Sequence, residues 1–302
     1  MKASDVVFEK AKNDSVSRML DAIKGISGSI PMDKPSGQFG RVVKITTDSG
    51  LAIDNALDIE FEVPFDDDTE ANEATITVYN LTDKTIGLLK TDDELSITAG
   101  YGKDTGVIFV GVITKVKTKW KGSDKVTTIN TLDDVAKKNQ NIESISFSAG
   151  TKASYVLKTL VGKLALPIAV FETKKDFTYT EAVTVSGGLM SNIEKYAEVC
   201  GVSAYINKRK VYVRHISDGE NLGFEVNEKT GLVGSPEAFT EESQNGTGEA
   251  KGVTFKMLLE HRITTASIVT LKSRNYNGKY RVREGKHICN ENDFYTEVTA
   301  IE

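Results

Sequence analysis

Hydrophobic residues repeat along this chain in successive patterns, and each predicts a different kind of element. The first is helical: Val16, Met19, Leu20 and Ile23 fall at i, i+3, i+4 and i+7 behind the possible caps Asn13, Asp14 and Ser15. Gly25 to Gly37 then holds three glycines, three serines and two prolines, a composition that reads as a linker. The helix is either packed on its own domain or an arm that docks on a neighbour. From Phe39 the period becomes two. Val42-Val43-Lys44-Ile45, Ile59-Glu60-Phe61-Glu62-Val63 and Ala74-Thr75-Ile76-Thr77-Val78-Tyr79 alternate or are β-branched, as half-buried strands should be. Asn80-Leu81-Thr82-Asp83, followed by Ile86, Leu88 and Leu89, predicts a short capped helical turn. Strand pattern returns over Leu95 to Ala99, turns through Gly100 to Gly106, and continues from Val107 to about Trp120 and from Val126 to Leu132. Together these segments predict a closed or strongly curved antiparallel unit.

Near residue 140 the texture shifts. Thr151 can cap a helix with Ala153, Val156, Leu157, Leu160 and Leu164 on one face, stopped by Pro167. A second helix, with Leu189, Ile193, Tyr196, Ala197 and Cys200 on its apolar side, begins near Ser186 and ends at Gly201. A hairpin from Val202 to Arg214, turning near Asn207-Lys208, offers Ala204, Ile206, Val211 and Val213 to those helices. Glu237 to Gly252 is polar and glycine-bearing and predicts a long loop. Ser267 to Ser273 and Lys279 to Ile288 flank Asn277-Gly278, a type I′ hairpin signal, and Phe294 to Ile301 supplies the last strand. The expected organisation is an N-terminal helix and linker arm (1–37), a first β domain (38–140), an inserted α+β domain (141–230) and a second β part (231–302).

Composition narrows the class. With 39% hydrophobic and 27% charged residues the chain is globular, not disordered or fibrous. A net charge of −5, from 43 acidic and 38 basic side chains, gives no overall pull toward nucleic acid or anionic lipid. No apolar run approaches the roughly 20 residues that span a bilayer, so stable membrane insertion is not expected, and Met1-Lys2-Ala3-Ser4-Asp5 opens no secretory signal. Cys200 and Cys289, far apart and without metal-ligand spacing, are expected reduced and buried, as in a cytoplasm.

Candidate chemistry is sparse, and the reading is not an enzyme, with no cofactor and no metal. His215, His261 and His287 share no metal-ligand spacing. Gly100-Tyr101-Gly102-Lys103-Asp104-Thr105-Gly106 departs from the phosphate-loop spacing, so a hairpin connection is expected there. Asp66-Asp67-Asp68 with Glu70 lacks the ordered spacing of a calcium loop and reads as a solvated loop. One pattern is less ordinary. Lys115, Lys117, Lys119 and Lys121 alternate along a strand and so project from one face, with Val116, Thr118 and Trp120 on the other. That face is either an edge or outer surface kept soluble by lysine, or a docking face for an acidic partner or passing nucleic acid.

Several segments in order carry a resemblance. They are Phe61-Glu62-Val63, Asn72 to Leu81, Thr98-Ala99-Gly100-Tyr101, and Ile108-Phe109-Val110-Gly111-Val112-Ile113. Later come Thr230 to Pro236, Lys256-Met257-Leu258-Leu259, and Tyr276 to Val282. Over roughly residues 38 to 302 the chain resembles the central tail hub proteins of phage baseplates and related contractile injection machines. The resemblance implies a mainly β fold with an α+β insert, in which two tube-like antiparallel β-barrel domains flank the small α+β domain. It implies a homotrimer presenting six similar β units, which would let a three-fold object join a six-fold tail tube to a three-fold spike and nucleate the tail. Implied partners are the tail tube, spike and other baseplate proteins, with transient contact to passing DNA, in a virion tail assembled in the host cytoplasm. Tube-facing residues would be Lys115 to Lys121 and the Gly100 to Gly106 turn, with Tyr101 and Lys103. The alternatives are a tail-associated cell-wall hydrolase and a carbohydrate-binding β module.

Overall fold

The computed structural model describes residues 40–68, 71–133, 141–242 and 249–302. The expected N-terminal helix and linker lie outside the described residues. The first part comprises β1 (Arg41–Thr47), β2 (Ala52–Asp54), β3 (Ile59–Phe65), β4 (Glu73–Tyr79), a one-turn helix α1 (Asp83–Ile86), β5 (Glu94–Tyr101), β6 (Asp104–Lys121) and β7 (Asp124–Leu132). Ile59, Phe61, Val63 and Phe65 of β3, and Ala74, Ile76 and Val78 of β4, are all buried, while Glu60, Glu62, Thr75 and Thr77 face the other side. Each large side chain so buried contributes about 1.5–3 kcal/mol, and a one-residue slip would turn the whole set outward, so the alternation fixes the register. Thr82 caps α1, its hydroxyl accepting from the Thr85 amide, in agreement with the expected capped turn.

The insert comprises β8 (Asn141–Phe147), α2 (Ala153–Gly162), β9 (Ile168–Phe171), β10 (Val183–Gly188), α3 (Leu189–Val199), β11 (Ser203–Asn207) and β12 (Lys210–Arg214). Val156, Leu157, Leu160, Leu189 and Ile193 close one apolar core with Ala204, Ile206, Val211 and Val213 of the β11–β12 hairpin. Three local readings are corrected here. Thr151 does not cap α2; its hydroxyl donates to Ser148 O, and Asp176 accepts from the Ser154 amide instead. The second helix starts at Leu189, because Gly187 and Gly188 still pair with β8. The hairpin turns at Lys208-Arg209, both left-handed, with φ of 49° and 58°.

The chain then gives β13 (Glu220–Val226), a single 3-10 turn (Glu228–Thr230), β14 (Leu232–Glu242), β15 (Glu249–Leu258), β16 (Ser267–Lys272), β17 (Asn277–Cys289) and β18 (Phe294–Ile301). The segment expected to loop from Glu237 to Gly252 is instead the β14–β15 hairpin, paired from Glu237 opposite Thr254 to Glu242 opposite Glu249. It is polar because it lies at the sheet's edge, and Phe239 lies opposite Gly252, whose missing Cβ leaves room for the ring. Asn277-Gly278 is not the turn either: Lys272 already pairs with Asn277. The connection is closed four residues earlier by Ser273, whose hydroxyl donates to Tyr276 O and accepts from the Tyr276 amide.

The fold is mainly β, and β1–β7 and β13–β18 form a single 13-stranded sheet running β14-β15-β18-β17-β3-β4-β7-β6-β5-β1-β2, with β13 and β16 attached through β17. The antiparallel β3–β17 pairing joins the two halves. Two apolar cores serve it. One gathers Val43, Ile45, Ile76, Ile97 and Ile129 and takes in Leu259, Cys289 and Phe294 from the C-terminal part; the other gathers Val226, Phe255, Val269 and Val298 and takes in Phe65 from the first. β13, which falls within the expected 141–230 insert, pairs in parallel with β16 of this sheet.

Buried polar groups pin the seam between the halves. Asp67, read from sequence as part of a solvated loop, is buried and accepts from Arg281 Nη1 at 2.7 Å, with Arg283 Nε at 3.5 Å. The correction has a clear cause, since the partners come from a strand more than two hundred residues away. Both cysteines are buried and free; Cys289 donates to Ile59 O, and burial pushes its thiol up to about 11. His287 is fully buried beside Phe65, its Nδ1 2.9 Å from Thr296 Oγ1.

Two predictions follow from this packing. A Cβ at Gly285 would lie 2.3 Å from Glu297 O and 2.6 Å from the Phe65 ring, whereas one at Gly162, the last residue of α2, meets nothing within 4 Å. Gly285→Ala should cost about 1–3 kcal/mol by overpacking, and Gly162→Ala should stabilise by roughly 0.4–1 kcal/mol, as read by urea unfolding. The second concerns acid. Burial, with the nearby Lys208 and His261 charges, pushes His287 down from 6.5 to about 3, so the unfolded chain takes up a proton there first. The stability tied to neutral His287 is therefore complete above pH 6.5 and drains away as pH falls from 6.5 through about 3. Asp66, raised to about 7 by burial and then by Asp68, works in the opposite sense. The difference between wild type and His287→Asn isolates the histidine, and the variant's melting temperature should fall less steeply over that window.

Candidate partner-docking site

The lysine stripe sits on the far end of β6, and the ladder explains why it is accessible. β5 pairs with β6 only from Tyr101 opposite Asp104 to Glu94 opposite Val112, while β7 accompanies β6 to its end at Lys121 opposite Asp124. Among the described residues, no strand flanks β6 on the β5 side beyond Ile113. The last eight residues of β6, Thr114 to Lys121, are thus an open edge, where unpaired backbone groups would invite another chain and where lysine is a common guard.

A bulge decides which way the lysines point. Ile113 pairs with Thr131 and Lys115 with Asn130, so Thr114 is an extra residue, and its hydroxyl donates to Asn130 O at 3.1 Å. In an unbroken strand Ile113 and Lys115 would share a face. The bulge turns the strand so that Ile113 is fully buried while Lys115, Lys117, Lys119 and Lys121 are all exposed. Successive ammonium groups stand about 6.8 Å apart along the strand. None of the four is ion-paired among the described residues.

The opposite face changes character along its length. Val116 packs on the first core and Thr118 Oγ1 meets Thr127 Oγ1 at 3.1 Å, but Trp120 is 69% exposed. Lys125 lies 5.4 Å from the indole centroid and holds Asp83 at 2.7 Å. The turn end of the hairpin is braced by Asn80, which donates to Asp124 and accepts from the Lys125 amide. The exposed indole was not legible in the sequence. The mismatch in length between β5 and β6, 8 residues against 18, is the signal that could have found it.

Tyr101 and Lys103 lie at the other end of the same strand. The expected Gly100 to Gly106 turn is tighter than read: β5 runs to Tyr101, β6 starts at Asp104, and only Gly102-Lys103 turns. Lys103 is exposed there, some 14 positions from Lys117, or on the order of 45 Å along an extended strand, so the structure does not bring the two groups together. Tyr101 faces inward. Its hydroxyl donates to Phe294 O at 3.2 Å and its ring meets Phe294 edge-on, with Arg41 5.4 Å from that ring. Burial raises its phenol, so it stays protonated.

The outer face of the sheet carries two shallow grooves. One of about 470 Å³ is lined by Glu60, Glu62, Glu73, Thr75, Thr77 and Ile288; one of about 530 Å³ by Val233, Lys256, Lys286, Glu297 and Thr299 among others. Charge runs across this face in columns, with lysines on β6, glutamates on β3, Lys286 on β17 and Glu297 on β18. Such a surface presents alternating charge, and among the described residues that line its two grooves no nucleophile and base converge. Among the described residues, no group of three or more His, Cys, Asp or Glu could hold a metal ion. His261 lies 3.9 Å from Asp104 and 3.7 Å from Glu260, but these acids also hold Arg262, and burial lowers the imidazole.

Comparison with known proteins agrees with this architecture. The fold is similar to a tail protein from Neisseria meningitidis (TM-score 0.63, 7% identity, 87% of this chain and 97% of that one). It is similar to a 43 kDa tail protein of prophage MuSo2 from Shewanella oneidensis (TM-score 0.66, 6% identity, 87% and 97%). It is also similar to an E. coli component of the type VI secretion system (TM-score 0.58, 10% identity, 85% and 76%). At these identities the likeness speaks to fold alone. No curated protein matches the chain in sequence. A family profile described as baseplate hub gp41, however, matches residues 41–300, nearly the whole sheet and insert. The chain belongs to the baseplate hub gp41 family.

Proposed function

We propose that this chain, a structural component of a tail baseplate, works as a homotrimeric hub that joins a six-fold tail tube to a three-fold spike and nucleates the tail. The observation that carries the proposal is the two-lobed sheet: one chain holds two β cores on a continuous ladder joined at β3 and β17. Three such chains would offer six β lobes to a six-fold partner while keeping three-fold symmetry toward the other side. A ring of this kind must close after three copies, or the same contact would grow a fibre. The division into a first β domain, an insert and a second β part serves that reading, the insert standing between two tube-like lobes.

In this proposal the exposed edge of β6 is the face offered to an acidic partner protein of the tail, with passing DNA as a transient contact. Lys115, Lys117, Lys119 and Lys121 steer the encounter, and Trp120 supplies an exposed aromatic anchor of the kind that dominates binding energy once covered. Lys103 offers a second contact at the opposite end of β6, and Tyr101 braces the hairpin that carries it. Assembly would take place in the host cytoplasm.

Light scattering of the full-length chain over a concentration series, alone and with neighbouring tail proteins, tests the trimer. A particle of three times the 32.9 kDa chain mass is expected; a persistent dimer, tetramer or monomer in every mixture rejects it. The docking face is tested by Lys117→Glu with Lys119→Glu. Because both side chains are exposed, stability should move by no more than about 0.5 kcal/mol. Partner assembly at low ionic strength should weaken by about tenfold, a difference that fades near 1 M salt, where the Debye length is about 3 Å.

A further inference from the structure

The insert has a core of its own. Its apolar cluster runs from Ile142 to Val213, and neither of the sheet's two clusters includes an insert residue. What fastens it to the sheet is mainly polar, set around the buried Tyr205. At the tip of the β11–β12 hairpin, Lys208 Nζ donates to Val107 O at 2.6 Å and Asn207 Nδ2 donates to Thr264 Oγ1 at 2.9 Å. Arg209 Nε lies 3.4 Å from Glu94, and Arg214 Nη2 lies 3.7 Å from Glu220. The two large side chains on that side of the hairpin, Tyr205 and Tyr212, stack on each other at 5.2 Å, and the Tyr205 hydroxyl accepts from Arg214 of the insert itself.

These contacts all have the same sense, with donors on the insert and acceptors on the sheet; Arg209–Glu94 and Arg214–Glu220 are ion pairs, while Lys208 and Asn207 donate to neutral oxygens. Polar interfaces within a chain permit relative motion far more readily than apolar ones. Their geometry is built in at both ends. Val107 follows the Gly106 backbone that His261 crowds, beside the β6 bulge that offsets Ile97 from Thr98 in the pairing with β5. Lys208 and Arg209 hold the left-handed conformations that a two-residue hairpin turn requires, which aims both side chains from the tip. On the return path, Asp218 O is fixed to the sheet by Arg281 Nε and its carboxylate pairs with Lys174 of the insert at 2.9 Å, so the pivot is the short turn from His215 to Ser217, held by His215 Nδ1 against Ser217 Oγ.

We propose that the insert is a hinged module latched to the sheet by the cationic tip of its β11–β12 hairpin. With the Lys208 and Arg209 contacts made, it is held shut; when they are lost it swings about His215 to Ser217 while the sheet and both its cores stay intact.

Spin labels on Lys158→Cys in α2 and Lys279→Cys in β17 of the full chain read the angle directly, since Cys200 and Cys289 are buried and spared. At about 0.05 M salt one narrow distance distribution is expected. It should broaden near 1 M, where screening acts over about 3 Å. Lys208→Met with Arg209→Glu should broaden it at both salt levels, and exchanging the charges, Glu94→Arg with Arg209→Glu, should restore it. Unchanged amide protection of α2 and α3 would show that the insert itself stays folded. A distribution that stays narrow in the double variant, or that is already broad in wild type at low salt, overturns the proposal. Should the double variant lose protection in α2 and α3, the wild-type salt series decides, and a narrow distribution at both salt levels overturns it.

Discussion

Pairing between β3 and β17, from Phe61 opposite Cys289 to Phe65 opposite Gly285, is where two potential sheets become one. Everything around it is arranged to make that junction hold. Gly285 gives up its side chain so that the Phe65 ring can lie across the strand, and the same ring reaches the second core. Just beyond the pairing, Asp67 meets Arg281, two charges that would each be costly to bury alone. Cys289 and Phe294 cross the other way into the first core. Because each half contributes apolar groups to its neighbour's core, neither lobe can loosen without exposing the other.

That rigidity gives the exposed parts their meaning. The long end of β6 projects past β5 with an unpaired edge, and the Thr114 bulge rather than simple alternation keeps its lysines out of the core. A one-residue insertion therefore sets the charge of an entire face. The insert, by contrast, keeps a core of its own and meets the sheet through polar side chains at a hairpin tip, so the same molecule combines a stiff frame with one part fastened mainly by polar contacts.

Much of this frame was legible in the sequence wherever one face of an element is buried and the other is not. β3 and β4 alternate cleanly, and the helical faces of α2 and α3 repeat as expected, because burial imposes period two or 3.6 on the residues. Legibility failed where partners are remote or both faces are wet. β14 and β15 look like a loop because an edge hairpin buries little, and Asp67 looks solvated because Arg281 lies far along the chain. Asn277-Gly278 carried a strong local turn signal, yet Ser273 closes the connection first and the pair is drawn into β17. At the candidate site the four lysines were readable as a stripe. Their orientation was not, since it rests on where β7 places Asn130 opposite the bulge.

An assembly protein has to solve a problem that an enzyme does not: it must carry surfaces that bind other chains and yet remain soluble before those chains arrive. An open strand edge is the hardest such surface to manage, because any extended chain can add to it. Four lysines along the edge of β6 raise the cost of bringing up a second copy of the same strand, since like charges would face each other at strand spacing. A surface of opposite charge meets no such cost, and by neutralising the lysines it removes the barrier that kept the edge unpaired. In the proposed hub the same side chains would repel the wrong partner and select the right one, and the two readings of the stripe that the sequence left open, guard and docking face, would be successive states of one device.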